Sequence, residues 1–312
     1  MRTDGSLALR GRERAERALT PIECHEVRRL TRPNGLAKLG AVAAPQLRLV
    51  PPLPAASSPV PFEPFLDGVP VRASRGLDLT EARSTLDEGR FWTEYQAIVH
   101  ARSGKTCAFE ALGRFRRRDG RPVPPAPMFA VLHADPALLL RAELTLKLHQ
   151  VEHAPRAPLF VNLDPDSWAR AGDRLRNPFL ALFSSAPTRV VVEVTEAMAT
   201  ADVLRAQSMI DALKGRRISI ALDDVGAANG LLSFDAITEA EVLKFDRTLI
   251  PRMRHPRARA LVQALTRMAR ETGAHSVLEG VETTAEFVIA RDLGFELVQG
   301  FLFRDRARIA KR

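Results

Sequence analysis

From about residue 91 onward, short apolar runs rich in β-branched side chains alternate with longer stretches whose apolar positions recur at helical spacing. The short runs at residues 92–100, 106–112, 159–163, 189–195, 217–222, 241–245, 276–279 and 296–299 predict eight strands. Residues 136–151, 201–214, 256–272 and 284–293 carry the helical pattern. Strands alternating with helices build parallel βα units, so the chain reads as an α/β protein with a closed, TIM-like (β/α)8 barrel. One connection departs from that rule. Residues 101–105 are too few for a parallel crossover, which predicts an antiparallel hairpin and hence an antiparallel first strand.

Upstream of the barrel the pattern disappears. Residues 45–70 hold 8 prolines in 26 positions, a density that no helix or sheet ladder accommodates, and read as an extended, disordered linker. Residues 13–30 have the composition of one charged helix, without a recognisable motif. The expected organisation is an N-terminal basic arm and Pro-rich linker at 1–75, a barrel domain at 76–306 and a basic tail at 307–312.

Composition narrows the class. Of 312 residues, 46% are apolar and 27% charged, as in globular proteins rather than disordered or collagen-like chains. No run approaches the roughly 18 apolar residues of a membrane span, and the polar start predicts no secretory leader. Two cysteines, Cys24 and Cys107, cannot build a disulfide scaffold, which points to a reducing, cytoplasmic setting. Cys24-His25 has no second pair at ligand spacing and reads as an isolated thiol beside a histidine.

The net charge of +9 raises the question of nucleic-acid binding, and its distribution answers it. Residues 1–50 hold 10 basic and 5 acidic side chains, residues 304–312 hold 5 and 1, and the stretch between carries 31 of each sign. The barrel is neutral, so no specific nucleic-acid partner is expected.

The chemistry gathers where the strands end. Reading the C-terminal ends in order gives Glu110, Asn162, Glu193, Asp223-Asp224, Lys244, Glu279 with Glu282, and Gln299. In a barrel of this type those ends converge on one face. A lone acid at a strand end ordinarily caps a helix or faces solvent. Several on different strands repel one another unless cations neutralise them. A donor set made of oxygen alone, without His or Cys, favours Mg2+ or Mn2+ over zinc. At a strand-to-loop bend both Asp223 and Asp224 can reach one site, which suits a carboxylate bridging two metals. Lys244, one of only 6 lysines, lies inside the apolar strand EVLKFD, where an inward charge needs a carboxylate, water or phosphate partner.

These segments resemble the EAL domain, the bacterial phosphodiesterase of cyclic di-GMP, over residues 79–306. Phe109-Glu110-Ala111-Leu112-Gly113-Arg114 matches the motif that names the family. Tyr95-Gln96-Ala97-Ile98-Val99, Val161-Asn162-Leu163, Glu193-Val194-Thr195-Glu196, Asp223-Asp224-Val225-Gly226, Leu243-Lys244-Phe245-Asp246, Glu279-Gly280-Val281-Glu282 and Gln299-Gly300-Phe301-Leu302-Phe303 follow in the family's order. The resemblance implies that Glu110, Asn162, Glu193 and Asp223 hold one metal and that Asp223, Asp224 and Glu279 belong to a second. It further implies that Lys244 orients or polarises the attacking water with support from Gln299, that Glu279 and Glu282 belong to the catalytic group, and that Arg114 contacts a phosphate. Gln96 would lie near a guanine, and Glu196 would hold the loop after the Asp pair. The implied reaction is metal-dependent hydrolysis of cyclic di-GMP to linear pGpG, in a protein compatible with homodimer formation through the barrel. The loop at 225–232, Val-Gly-Ala-Ala-Asn-Gly-Leu-Leu, departs from the family's F-G-x-G-Y-S-S-L, and this favours the alternative of a receptor that binds cyclic di-GMP without hydrolysing it.

Overall fold

The computed structural model of the chain describes residues 77–172, 176–195, 200–227 and 234–311. The basic arm and the Pro-rich segment, with the helix expected at 13–30 and the Cys24-His25 pair, lie outside the described residues. In chain order the elements are α1 (Leu79–Asp87), β1 (Phe91–His100), β2 (Thr106–Arg116), β3 (Pro122–Val123), α2 (Pro125–Leu132), α3 (Pro136–Glu152), β4 (Leu159–Asn162), α4 (Pro165–Arg170), α5 (Pro178–Ser184) and β5 (Val190–Thr195). There follow α6 (Thr200–Gly215), β6 (Ser219–Val225), α7 (Phe234–Glu239), β7 (Val242–Phe245), α8 (Leu249–Arg252), α9 (Pro256–Thr272), β8 (His275–Leu278), α10 (Thr284–Asp292), β9 (Leu297–Gln299), a 3-10 helix (Phe301–Arg306) and β10 (Arg308–Lys311).

Local chemistry sets several of these starts. Asp135-Pro136, Asp164-Pro165 and Asn177-Pro178 open α3, α4 and α5: the Asx side chain accepts from an early backbone N–H, while proline supplies a pre-set φ where its missing N–H is not needed. Thr283 and Glu286 form a reciprocal capping box at the start of α10.

Eight strands close a ring in the order β1, β2, β4, β5, β6, β7, β8, β9 and back to β1. Neighbours from β2 to β9 run parallel. β1 runs antiparallel to both β2 and β9, as the short hairpin predicts. All eight expected strands are present. Two short strands are not legible in the sequence: β3, which extends the hairpin, and β10, which pairs antiparallel with the first half of β1. Residues 308–311 of the expected basic tail are therefore part of the sheet; their four positions, two of them charged, carry too little apolar pattern to announce a strand.

The barrel interior is layered. Its floor is a buried cluster of Ile98, Cys107, Ala108, Phe160, Val191, Ala221, Val242, Val277 and Leu297, with every one of the eight strands contributing. A second apolar shell packs strands against helices, and a third joins α1, α2 and α3 to the part of the β1–β2 hairpin that rises above the ring. Among the described residues no helix is long and apolar enough to cross a membrane.

Phe160 is fully buried at the centre of the floor. Phe160→Ala is expected to destabilise the protein by about 3–5 kcal/mol. Phe301→Ala, at a side chain that is 61% exposed, is expected to change stability by less than about 0.5 kcal/mol. Denaturant unfolding of both variants reads the difference.

Candidate active site

Side chains on a strand alternate faces, so the residues two positions from the floor toward the barrel mouth also point inward. Those positions are Gln96 on β1, Glu110 on β2, Asn162 on β4, Glu193 on β5, Asp223 on β6, Lys244 on β7, Glu279 just after β8 and Gln299 on β9. Every one is polar, and all eight belong to one connected network.

Lys244 is at its centre, with its side chain 1% exposed. Its Nζ lies 2.5 Å from Glu193 Oε1, 2.7 Å from Glu279 Oε1, 3.2 Å from Asp223 Oδ1 and 3.7 Å from Glu110 Oε2. Asn162 Nδ2 donates to Glu110 Oε1 at 3.0 Å, Gln299 Nε2 donates to Glu110 Oε2, and Gln299 Nε2 also reaches Gln96 Oε1 at 3.5 Å.

One ammonium cannot neutralise four carboxylates, and the acids divide accordingly. Burial works against ionisation of Glu110, but the Lys244 charge and the amide donors of Gln299 and Asn162 overcome it and hold the carboxyl below its ordinary value. Burial, with the neighbouring charge of Glu110, pushes Glu193 well above its ordinary value. Burial also pushes Glu279 up to about 8, helped by Asp223 and Glu110 and opposed by Lys244. For Lys244 itself, burial would favour the neutral amine, but the surrounding carboxylates outweigh it and hold the ammonium charged.

Asp224 reaches the site by a backbone irregularity. The register between β6 and β7 shifts between Leu222 and Val225, and Asp224 takes φ +59°, the left-handed conformation that Asp tolerates better than most residues. Its N–H donates to Asp223 Oδ1 at 3.0 Å. The irregularity brings one carboxylate oxygen from each of Asp223, Asp224 and Glu279 within 4.8 Å of one another. The bend that lets both aspartates share a site therefore lies inside β6 and not in the loop after it. Gly280 takes φ +65° directly after Glu279, and a Cβ there would sit 2.3 Å from Arg247 Cβ, so the close packing of this turn requires glycine.

The donor set suits hard cations. It contains only carboxylate and amide oxygens, and the buried Glu193 Oε2 and Gln299 Oε1 have no hydrogen-bond donor among the described residues. The carboxyl groups held protonated by burial are those that a divalent ion would ionise.

The remaining expected residues fall at the periphery. Glu110 is not at the end of its strand, because β2 stays paired with β1 and β3 for six further residues, carrying Arg114 above the ring. Glu282 is exposed three residues beyond Glu279, where its backbone N–H donates to Glu286. Glu196 and residues 228–232 of the altered loop lie outside the described residues. A cleft of about 330 Å3 opens beside the charged layer, bordered by Asn162, Glu193, Arg114 and the buried Glu143–Lys147 ion pair of α3. Sequence reading missed Glu94, which binds both Arg114 and Gln96; a glutamate two positions before Gln96 on a half-buried strand was the available signal. It also missed the His133–Asp164 ion pair, whose Asp164 simultaneously caps α4.

Comparison with known proteins agrees with this geometry. The family pattern described as the EAL domain matches residues 79–305. The cyclic di-GMP phosphodiesterase RocR of Pseudomonas aeruginosa is 28% identical over 231 residues, covering 70% of this chain and 58% of RocR. The solved structure of the PaMucR phosphodiesterase in complex with c-di-GMP aligns at a TM-score of 0.60 and 25% identity, covering 72% of this chain and 95% of that one. The manganese and cyclic di-GMP complex of Klebsiella pneumoniae BlrP1 shares the fold at a TM-score of 0.57 and 24% identity, over 72% of this chain and 59% of that one. This chain spans about a third of the length of several other curated relatives that it matches.

The acid–base balance of the charged layer makes stability depend on pH. In the metal-free folded protein Glu279 keeps its proton up to about pH 8, whereas in the unfolded chain it ionises near its ordinary value of 4.5. The folded state thus binds more protons between those values, and its stability falls as pH rises through that window. Chelator-treated protein is expected to melt at a lower temperature at pH 8 than at pH 6, and added Mn2+ to raise the melting temperature more at pH 8. Equal Mn2+ effects at both pH values would contradict the assignment.

Proposed function

Because the chain belongs to the EAL domain family, we propose that it is a metal-dependent phosphodiesterase that hydrolyses one phosphodiester bond of cyclic di-GMP and releases linear pGpG. The observation that carries this reading is the eight-residue polar layer, in which each strand of the ring supplies an oxygen donor or a proton-handling group facing the mouth.

In this reading Glu110, Asn162, Glu193 and Asp223 would hold one divalent ion, Mg2+ or Mn2+, and Asp223, Asp224 and Glu279 would hold a second. Divalent ions bound there would offset charge on the phosphoryl oxygens and make water a stronger acid. The chain's own groups supply positioning. Lys244, whose Nζ lies 2.5 and 2.7 Å from Glu193 and Glu279, orients or polarises the attacking water. Gln299 and Asn162 donate to opposite oxygens of Glu110 and fix its plane. Arg114 stands on the raised hairpin beside the 330 Å3 cleft, placed for a phosphate oxygen, and Gln96 lines the layer on β1 toward a base. The apolar floor excludes water from below, which strengthens each of these interactions.

The altered loop at 225–232 favours a second reading, in which the same site retains cyclic di-GMP unchanged and acts as a receptor. One measurement separates the two: the full chain incubated with cyclic di-GMP and Mg2+ or Mn2+, with nucleotides resolved by chromatography. Release of pGpG is expected. Bound nucleotide recovered intact with either metal supports the receptor instead. Lys244→Met is expected to lower turnover by about 10²- to 10⁴-fold, the range for loss of a proton-handling group. Circular dichroism of the variant reports whether the barrel is retained.

A further inference from the structure

Arg114 and Gln96, which the proposed function assigns to substrate, share a partner that the motif does not include. Glu94 lies two residues before Gln96 on β1, on the same face of the strand, and diagonally across from Arg114 on β2, since Glu94 faces Leu112 and Trp92 faces Arg114. Its Oε2 accepts from Arg114 Nε at 2.8 Å, and its Oε1 accepts from Gln96 Nε2 at 3.1 Å. The two oxygens of one carboxylate thereby fix both side chains.

The contact runs on into the site. Gln96 Oε1 accepts from Gln299 Nε2, which also donates to Glu110, whose other oxygen accepts from Asn162. A continuous hydrogen-bonded chain thus leads from the guanidinium at the mouth to a metal-ligand carboxylate, crossing β2, β1, β9 and β4.

The side chains of Glu94 and Arg114 are 27% and 23% exposed, so the pair is part-buried at the mouth of the site. β1 is already held by β2, β9 and β10 through its backbone. Geometry gives the pair a different use. Glu94 takes the Nε of Arg114, Arg114 Nη1 rests on the Gly113 carbonyl at 3.4 Å, and Nη2 has no partner among the described residues. A guanidinium held at Nε presents its remaining donors in a fixed plane, which is what a phosphate oxygen requires.

We propose that Glu94 is the positioning residue of the substrate subsite: it orients Arg114 toward a phosphate oxygen and sets the amide of Gln96 so that its carbonyl faces Gln299. The inference rests on the reading of this site as one for cyclic di-GMP. It assigns Glu94 no contact with the reacting atoms, so its loss weakens substrate binding and leaves the chemical step in place.

The test is steady-state turnover of cyclic di-GMP by the full chain, comparing wild type, Glu94→Ala and Glu94→Gln, with Mn2+ affinity titrated separately without nucleotide. Glu94→Ala is expected to raise KM about tenfold, as for loss of an orienting partner, with kcat held within about twofold. Glu94→Gln keeps an acceptor for Arg114 Nε and is expected to fall between wild type and Glu94→Ala. Mn2+ affinity should stay at the wild-type value. If the protein binds without turnover, the same tenfold change is read in Kd. Active wild type with an unchanged Glu94→Ala KM, or a fall in kcat at constant KM, overturns the role of Glu94 alone. Wild type that neither binds nor hydrolyses cyclic di-GMP overturns the reading of the site and this inference with it.

Discussion

An ammonium group buried among four carboxylates is the constraint around which this barrel is organised. Lys244 has its side chain 1% exposed and is surrounded by Glu110, Glu193, Asp223 and Glu279. Each charge would be prohibitive there alone, and removing one partner of a buried ion pair commonly costs about 3–5 kcal/mol. Together they form a set with excess negative charge. The excess is relieved by protons on Glu193 and Glu279, or by a cation of higher charge. A structure that holds carboxylates in this state has already met the desolvation cost that a metal site demands.

The layering explains why the set can exist. The floor seals the barrel from below with apolar side chains from all eight strands, so the polar layer meets water only from the mouth. Strand periodicity then fixes the next inward position on every strand, and the ring carries a polar residue at each. Helices contribute little to the chemistry. They brace the strands, and α1, α2 and α3 support the raised β1–β2 hairpin on which Glu94 and Arg114 stand.

Much of this was legible in the sequence because it depends on period two and on strand order. The eight ring strands, the antiparallel start and the polar residues at the ends of seven strands follow from patterning and from the shortness of residues 101–105, while Gln96 on β1 was visible only through the family resemblance. The register of the layer itself was less visible: Glu110 reads as a strand end, yet β2 runs on because the hairpin partner keeps it paired. The left-handed Asp224 was hidden because a bulge leaves no mark in composition when the residue is Asp rather than Gly. β10 was hidden because four residues carry too little alternation, and Glu94 because its meaning depends on which side chain lies across the hairpin.

The ring closes between β1 and β9, where Ile98 pairs with Gln299 about two hundred residues further along the chain. Contacts of such sequence separation form late, since the loop they close must be ordered first. Glu110, Asn162, Glu193, Asp223, Lys244 and Glu279 lie on the consecutive staves from β2 to β8, which can assemble as an open sheet. Gln96 and Gln299 flank the seam itself. The polar network is therefore completed by barrel closure: Gln299 on β9 reaches both Gln96 on β1 and Glu110 on β2 only in the shut ring, and Lys244 on β7 meets Glu110 on β2 across the same interior.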